Sequence, residues 1–175
     1  MLVVGGGREK RLKTVSTVFS NFMKAIETEY KKHLFRSRLE ARWAVYFDSL
    51  SIKWIYEPEG YELSNGCRYL PDFYLPEHKL FVEVKPEYCF DKRWIFFTRE
   101  AEQYLLILDG IPEIRTWRMY GVGSKTEQDY RDVFLAAAGD KYFPFFDGGI
   151  TTLYEEGDRY DEAVTAACSA RFENF

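Results

Sequence analysis

Histidine and cysteine are scarce in this 175-residue chain, and each scarcity removes a class of chemistry. With only His33 and His78 available, neither a histidine-built metal centre nor a Ser-His-Asp triad has the residues it needs. Cys67, Cys89 and Cys168 are odd in number and lack paired spacing, so neither a disulfide framework nor a zinc site is indicated. No apolar run approaches the roughly 20 residues that cross a bilayer, and no membrane partner is expected. The opening MLVVGGGREKRLK sets a very short apolar stretch ahead of its charges, which reverses the order of a secretory signal. A cytoplasmic protein is the expectation. Gly5-Gly6-Gly7 lacks the strand and helix context of a phosphate loop, and the chain has no internal repeat or low-complexity segment.

Aromatic residues are plentiful. Fifteen Phe, 13 Tyr and 4 Trp make up 18% of the chain, enough to exclude disorder and to fill one core. The formal net charge of −4 opposes nucleic-acid binding only until its distribution is considered. Residues 8–42 hold ten Lys/Arg against four Asp/Glu, a local balance of +6, whereas residues 140–175 hold three against eight, a balance of −5. A basic arm can present a positive surface to phosphates despite the acidic remainder. Lys31, Lys32, Arg36, Arg38 and Arg42 fit that role, or else they solvate a helix and its approach; the pattern leaves both open.

Periodicity divides the chain into an N-terminal basic helical arm (1–33), a core (34–120) and a helical extension packed on the same domain (121–175). VSTVFSNFMKAIETEYKKHL has a helical period, and FRSRLEARWAVYFDSL repeats it with Leu39, Trp43, Phe47 and Leu50 on one stripe. Strands are expected at 52–56, 61–63, through CRYLPDFYL and through KLFVEVK, with turns at Ser64-Asn65-Gly66 and Pro76-Glu77-His78. FDKRWIFFTREAEQ reads as a crossover helix leading to a buried strand at 104–108, and 114–120 as an edge strand. Trp94, Phe96 and Phe97 are expected in the core. EQDYRDVFLAAAG and DRYDEAVTAACSARFE are expected helices, and the aromatic stretch KYFPFFDGG between them is either core or a partner surface. The sum is an α/β fold, α-β-β-β-α-β, with a mixed central sheet flanked by helices.

Chemistry concentrates in Pro71-Asp72 and Glu83-Val84-Lys85. Alternate strand residues share a face, so Glu83 and Lys85 point one way while Val82 and Val84 point the other. A hairpin between the two strands brings Asp72 within reach of Glu83. Placing a carboxylate and a lysine in an apolar strand is costly without a partner or a purpose. Oxygen ligands beside a lysine suit Mg²⁺-assisted attack on a phosphate. Glu40 borders the apolar helix stripe and offers a third acid. Equally, Ser37-Arg38-Leu39-Glu40 has the form of a capping box, in which Glu40 serves the helix terminus.

A helix carrying Glu40, followed by strands carrying Pro71-Asp72 and Glu83-Val84-Lys85, resembles the PD-(D/E)XK nuclease superfamily. FRSRLEARWAVYFDSLSIKWIYEPEGYEL, YLPDFYLP and VEVK are similar to small nuclease-like proteins of bacteriophages and mobile elements, and AVTAACSARFE resembles the helical tail of some of them. The strong part of the resemblance covers residues 34–110. It implies a restriction-endonuclease-like core and a DNA endonuclease in a bacterial or phage-infected cell. It also implies catalytic Glu40, Asp72, Glu83 and Lys85, with Mg²⁺ (or Mn²⁺) held by Asp72, Glu83, the Val84 carbonyl and Glu40. Pro86 departs from the pattern, because many relatives have glycine or a small polar residue there, and it stiffens the following loop. Lys92, Arg93 and Arg99 are further candidates for the DNA backbone, against the alternative of solvated helix charges. A catalytically silent nucleic-acid-binding or inhibitor protein, and a subunit active only with a partner or a second copy, are the competing readings.

Overall fold

Residues 80–85, the run LFVEVK, lie at the centre of the sheet around which the chain is arranged. The structure is a computed structural model, and it describes residues 25–113, 117–133 and 157–172. In chain order the strands are β1 (Thr28–Tyr30), β2 (His33–Phe35), β3 (Ile55–Tyr56), β4 (Tyr61–Glu62), β5 (Arg68–Tyr69), β6 (Phe73–Leu75), β7 (Leu80–Lys85), β8 (Tyr104–Asp109), β9 (Trp117–Tyr120) and β10 (Arg131–Val133). The helices are α1 (Arg38–Ser49), α2 (Lys92–Glu100) and α3 (Gly157–Ser169). A six-stranded mixed sheet has the order β10-β9-β8-β7-β6-β3, while β1-β2 and β4-β5 are separate two-stranded pairs. Only β7 and β8 are parallel, joined by the α2 crossover; the other pairs in the large sheet are antiparallel.

The two faces of β7 are buried in different clusters. Val82 and Val84 pack with Trp43, Phe47 and Phe73 under α1, together with Tyr160, Ala163 and Ala167 of α3. Phe81 packs with Trp94, Phe97 and Tyr69 on the α2 side. Burial on both faces is why this strand reads as an almost continuous apolar run. Trp94 and Phe97 are core residues, as expected, and Phe96 is partly buried against them. Gly110 closes β8 in the left-handed region, with φ +84°. Its N–H donates to the Lys85 carbonyl (2.8 Å) and its carbonyl accepts from Trp43 Nε1 (3.0 Å), which fixes α1 to the end of β7 that carries Lys85.

Several elements differ from the sequence expectation. The helix predicted to run on through His33 and Leu34 is replaced over 28–35 by the β1–β2 hairpin, which straddles the expected boundary at residue 33. Its two turn residues, Lys31 and Lys32, both have positive φ (48° and 68°), a turn ordinarily marked by Asn-Gly, so the sequence gives no cue to it. CRYLPDFYL is not one strand. Pro71 has no N–H for a ladder, and Leu70, Pro71 and Asp72 separate β5 from β6. Of the helix expected over 127–139, residues 131–133 are instead strand β10, paired with β9, and residues 134–139 lie outside the described residues. Before β10, the Asp129 carboxylate accepts from the amides of Lys125 and Thr126, locking a turn where a helix would have begun. The Gly5–Gly7 stretch, most of the N-terminal helical run, Ile114 and KYFPFFDGG lie outside the described residues. Among the described residues no helix is long and apolar enough to cross a membrane.

Candidate active site

Strand register brings Asp72 and Glu83 together. Phe73, the first residue of β6, stands opposite Val82, so Asp72 just before it lies beside the next residues of β7, where Glu83 acts on it through its charge. Asp72 and Glu83 are each only 4% exposed, and Glu40 7%. Asp72 is the last residue of the break between β5 and β6: Oδ2 accepts from the Val84 amide at 2.7 Å, while the Asp72 carbonyl accepts from the Glu57 amide. Asp72 Oδ1 meets Arg36 Nη2 at 2.5 Å.

Glu83 and Lys85 do share a face. Lys85 Nζ lies 2.6 Å from Glu83 Oε1, and the Tyr69 hydroxyl donates to Glu83 Oε2 at 2.7 Å. Burial lowers the Lys85 pKa, but the charge and hydrogen bond of Glu83 and the charge of Asp72 outweigh it, so Lys85 stays an ammonium. Tyr69 is pushed well above the usual phenol value, first by burial and then by Glu83, and remains a donor. Burial, then the charges of Glu83 and Glu40, push the Asp72 carboxyl up to about 8, against the opposing pull of the Val84 amide and Lys85.

Glu40 caps its helix and also acts on Asp72 through its charge. Ser37 is the N-cap of α1 and accepts from the Glu40 amide, while the Ser37 hydroxyl donates to Glu40 Oε1 at 2.7 Å. Glu40 Oε2 accepts from the Tyr56 hydroxyl at 2.6 Å. The same carboxylate raises the proton affinity of Asp72, so the cap residue also acts on the acidic site. All six oxygens of Asp72, Glu83 and Glu40 therefore have protein partners.

Among the described residues no group of three or more His, Cys, Asp or Glu side chains stands close enough together to hold a metal ion. Asp72 and Glu83 are nevertheless two buried carboxylates near enough for the charge of one to act on the other. Mg²⁺ takes one or two carboxylates and keeps several waters, so Asp72 and Glu83 fit it as a two-carboxylate site, not as a three-acid cage. The raised proton affinity of Asp72 reflects its burial first and the neighbouring charges of Glu83 and Glu40 second.

No family model, curated protein or solved structure matches this chain.

The basic candidates separate into distinct environments. Arg36 joins the acidic site itself, bonding Glu57 Oε1 through Nε at 2.7 Å as well as Asp72. Arg42 turns away from it: Nη1 donates to the carbonyls of Ala167 (2.7 Å) and Cys168 (2.5 Å) at the end of α3. Arg38 is half-buried in the first turn of α1. Arg93 pairs with the α2 N-cap, Asp91, and lies 5.8 Å over the Tyr69 ring, beside the Glu83 pocket. Lys92 and Arg99 are exposed on α2. Sequence reasoning missed Tyr56, Glu57 and Tyr69. Their partners are set by approach of separate elements, and only the nearness of Tyr69 to Asp72 in RYLPD hinted at a role.

Proposed function

We propose that this protein is a divalent-metal-dependent nuclease of the PD-(D/E)XK type that hydrolyses DNA phosphodiester bonds, endonucleolytically, with Mg²⁺ as cofactor and Mn²⁺ as a substitute. One observation carries the reading: Asp72 and Glu83 are both buried, Asp72 Oδ2 accepts from the Val84 amide next to Glu83, and the Lys85 ammonium lies 2.6 Å from Glu83. Asp72 and Glu83, with the Val84 carbonyl, would hold the cation, and Glu40 would add its charge beside them. When bound, the cation neutralises phosphate charge and makes a water more acidic. Lys85 orients the attacking water and meets charge developing on the phosphate oxygens; as an ammonium it is unsuited to be the base. Tyr69 holds Glu83 in its rotamer. Lys92, Arg99 and Arg38 supply backbone contacts to DNA. The restriction-endonuclease-like core and a cytoplasmic location belong to the same proposal, as do a phage origin and products ending in 5′-phosphate and 3′-hydroxyl.

A second reading draws on the saturated carboxylates: with every site oxygen already bonded, the chain is a nuclease subunit that opens only with a partner or second copy, or a silent nuclease-fold binder. Incubation of the purified chain with closed-circular and linear DNA, in Mg²⁺, in Mn²⁺ and in EDTA, separates these. Metal-dependent nicking of closed circles supports the endonuclease. Binding of DNA without cleavage under any of these conditions favours the second reading, and neither binding nor cleavage defeats the endonuclease acting on its own.

A further inference from the structure

Arg36 sits where a cation is needed. The Phe35 side chain before it is fully buried against Tyr56 and Phe73, and the Arg36 amide donates to the Tyr56 hydroxyl at 2.9 Å, so the backbone is fixed. From that anchor the guanidinium reaches Glu57 Oε1 at 2.7 Å and Asp72 Oδ1 at 2.5 Å. Its surroundings are unequal: the Asp72 side chain is 6% exposed and that of Glu57 31%, while the Arg36 side chain itself is 52% exposed. Arg36 thus approaches Asp72 from solvent, and Glu57 offers a second, wetter partner on which it can remain.

We propose that Arg36 is a built-in counter-cation that competes with the divalent ion for Asp72 and is drawn off it by a DNA phosphate. The inference rests on the nuclease reading above and adds the order in which the site assembles. Without DNA, Arg36 holds Asp72 and weakens cation binding. A phosphate accepts the same forked donors as a carboxylate, so DNA arriving at the site takes Arg36 and leaves Asp72 Oδ1 available. DNA and cation then strengthen each other's binding, and by linkage the factor is the same in both directions. A site built this way keeps its cation loosely until substrate arrives.

The test is calorimetric titration of Ca²⁺, chosen to limit turnover, into wild type, Arg36→Gln and Arg36→Lys, with and without a short DNA duplex. Thermal melting of each variant, with and without Ca²⁺, verifies folding. Arg36→Gln removes the competitor, so Ca²⁺ should bind at least about tenfold more tightly without DNA, the step that 1.4 kcal/mol represents. Ca²⁺ should also raise its melting temperature more than that of wild type. Adding DNA should tighten Ca²⁺ binding to wild type by a larger factor than to Arg36→Gln. Arg36→Lys, which keeps the charge without the fork, should fall between. Equal or weaker Ca²⁺ binding by a folded Arg36→Gln overturns the proposal while leaving the nuclease reading in place. Absence of Ca²⁺ binding in all three proteins overturns both.

Discussion

Replacing Arg42 by Met separates its two assigned roles. As a member of the basic N-terminal stretch it was expected at the DNA backbone, yet its Nη1 donates to the Ala167 and Cys168 carbonyls at the end of α3. The last turn of α3 has no basic residue of its own, so the cation that its orphan carbonyls favour comes from α1. Both bonds are charge-assisted, a kind worth about 1.5–3 kcal/mol each, but they share one nitrogen and do not add fully. Methionine keeps most of the stem packing, which isolates the loss of the head group. The expected destabilisation is about 2–3 kcal/mol, or roughly 4–12 °C in Tm for a chain of this size. Urea unfolding and thermal melting measure it directly. DNA affinity and its salt slope, taken well below Tm, should stay at wild-type values. A Tm within about 1 °C of wild type, together with weaker DNA binding and a shallower salt slope, would refute the helix-cap account and return Arg42 to the phosphate-binding set.

Tyr69→Phe removes the donor to Glu83 Oε2, and metal-free stability should fall by about 1.5–3 kcal/mol in urea titrations; an unchanged midpoint would mean that the bond contributes nothing. Because burial and neighbouring acids raise the folded-state pKa of Asp72 to about 8, its contribution is fully present below the unfolded carboxyl range and is lost as pH rises through about 8. In EDTA, wild type should therefore lose stability relative to Asp72→Asn as pH rises from about 4 to about 8, at up to about 1.4 kcal/mol per pH unit, and parallel profiles over that range would contradict this. Lys32 has φ 68°, which glycine adopts without strain, so Lys32→Gly should raise Tm by the equivalent of about 1 kcal/mol; a lower Tm would show that the Lys32 side chain matters more than the turn.

How far these features could be read from the sequence follows from the range of the forces involved. Period-two alternation in LFVEVK depends only on the strand itself, so the division of Val82 and Val84 from Glu83 and Lys85 was legible. The N-cap at Ser37 is equally local, as is the apolar stripe of α1, and both are present, with Glu40 reaching back to the Ser37 hydroxyl where a capping box would use its amide. The β1–β2 hairpin was hidden because its turn uses two lysines at positive φ in place of glycine or asparagine. Strand β10 was hidden because three residues beside a polar turn become a strand only through pairing with β9. At the site, the acids announced themselves by being out of place in apolar strands. Arg36 and Glu57 did not, since an exposed arginine and a loop glutamate look the same whether or not a buried aspartate lies beside them. Arg42 is the extreme case: its partner carbonyls lie more than a hundred residues further along the chain.

The central claim is that Asp72 and Glu83 hold one divalent cation between them, and calorimetric titration of Mn²⁺ into wild type, Asp72→Ala and Glu83→Ala tests it most directly. The account predicts one site per chain in wild type, abolished by either substitution while melting shows each variant folded. Undiminished Mn²⁺ binding in both folded variants, or none in wild type with DNA present, would contradict it.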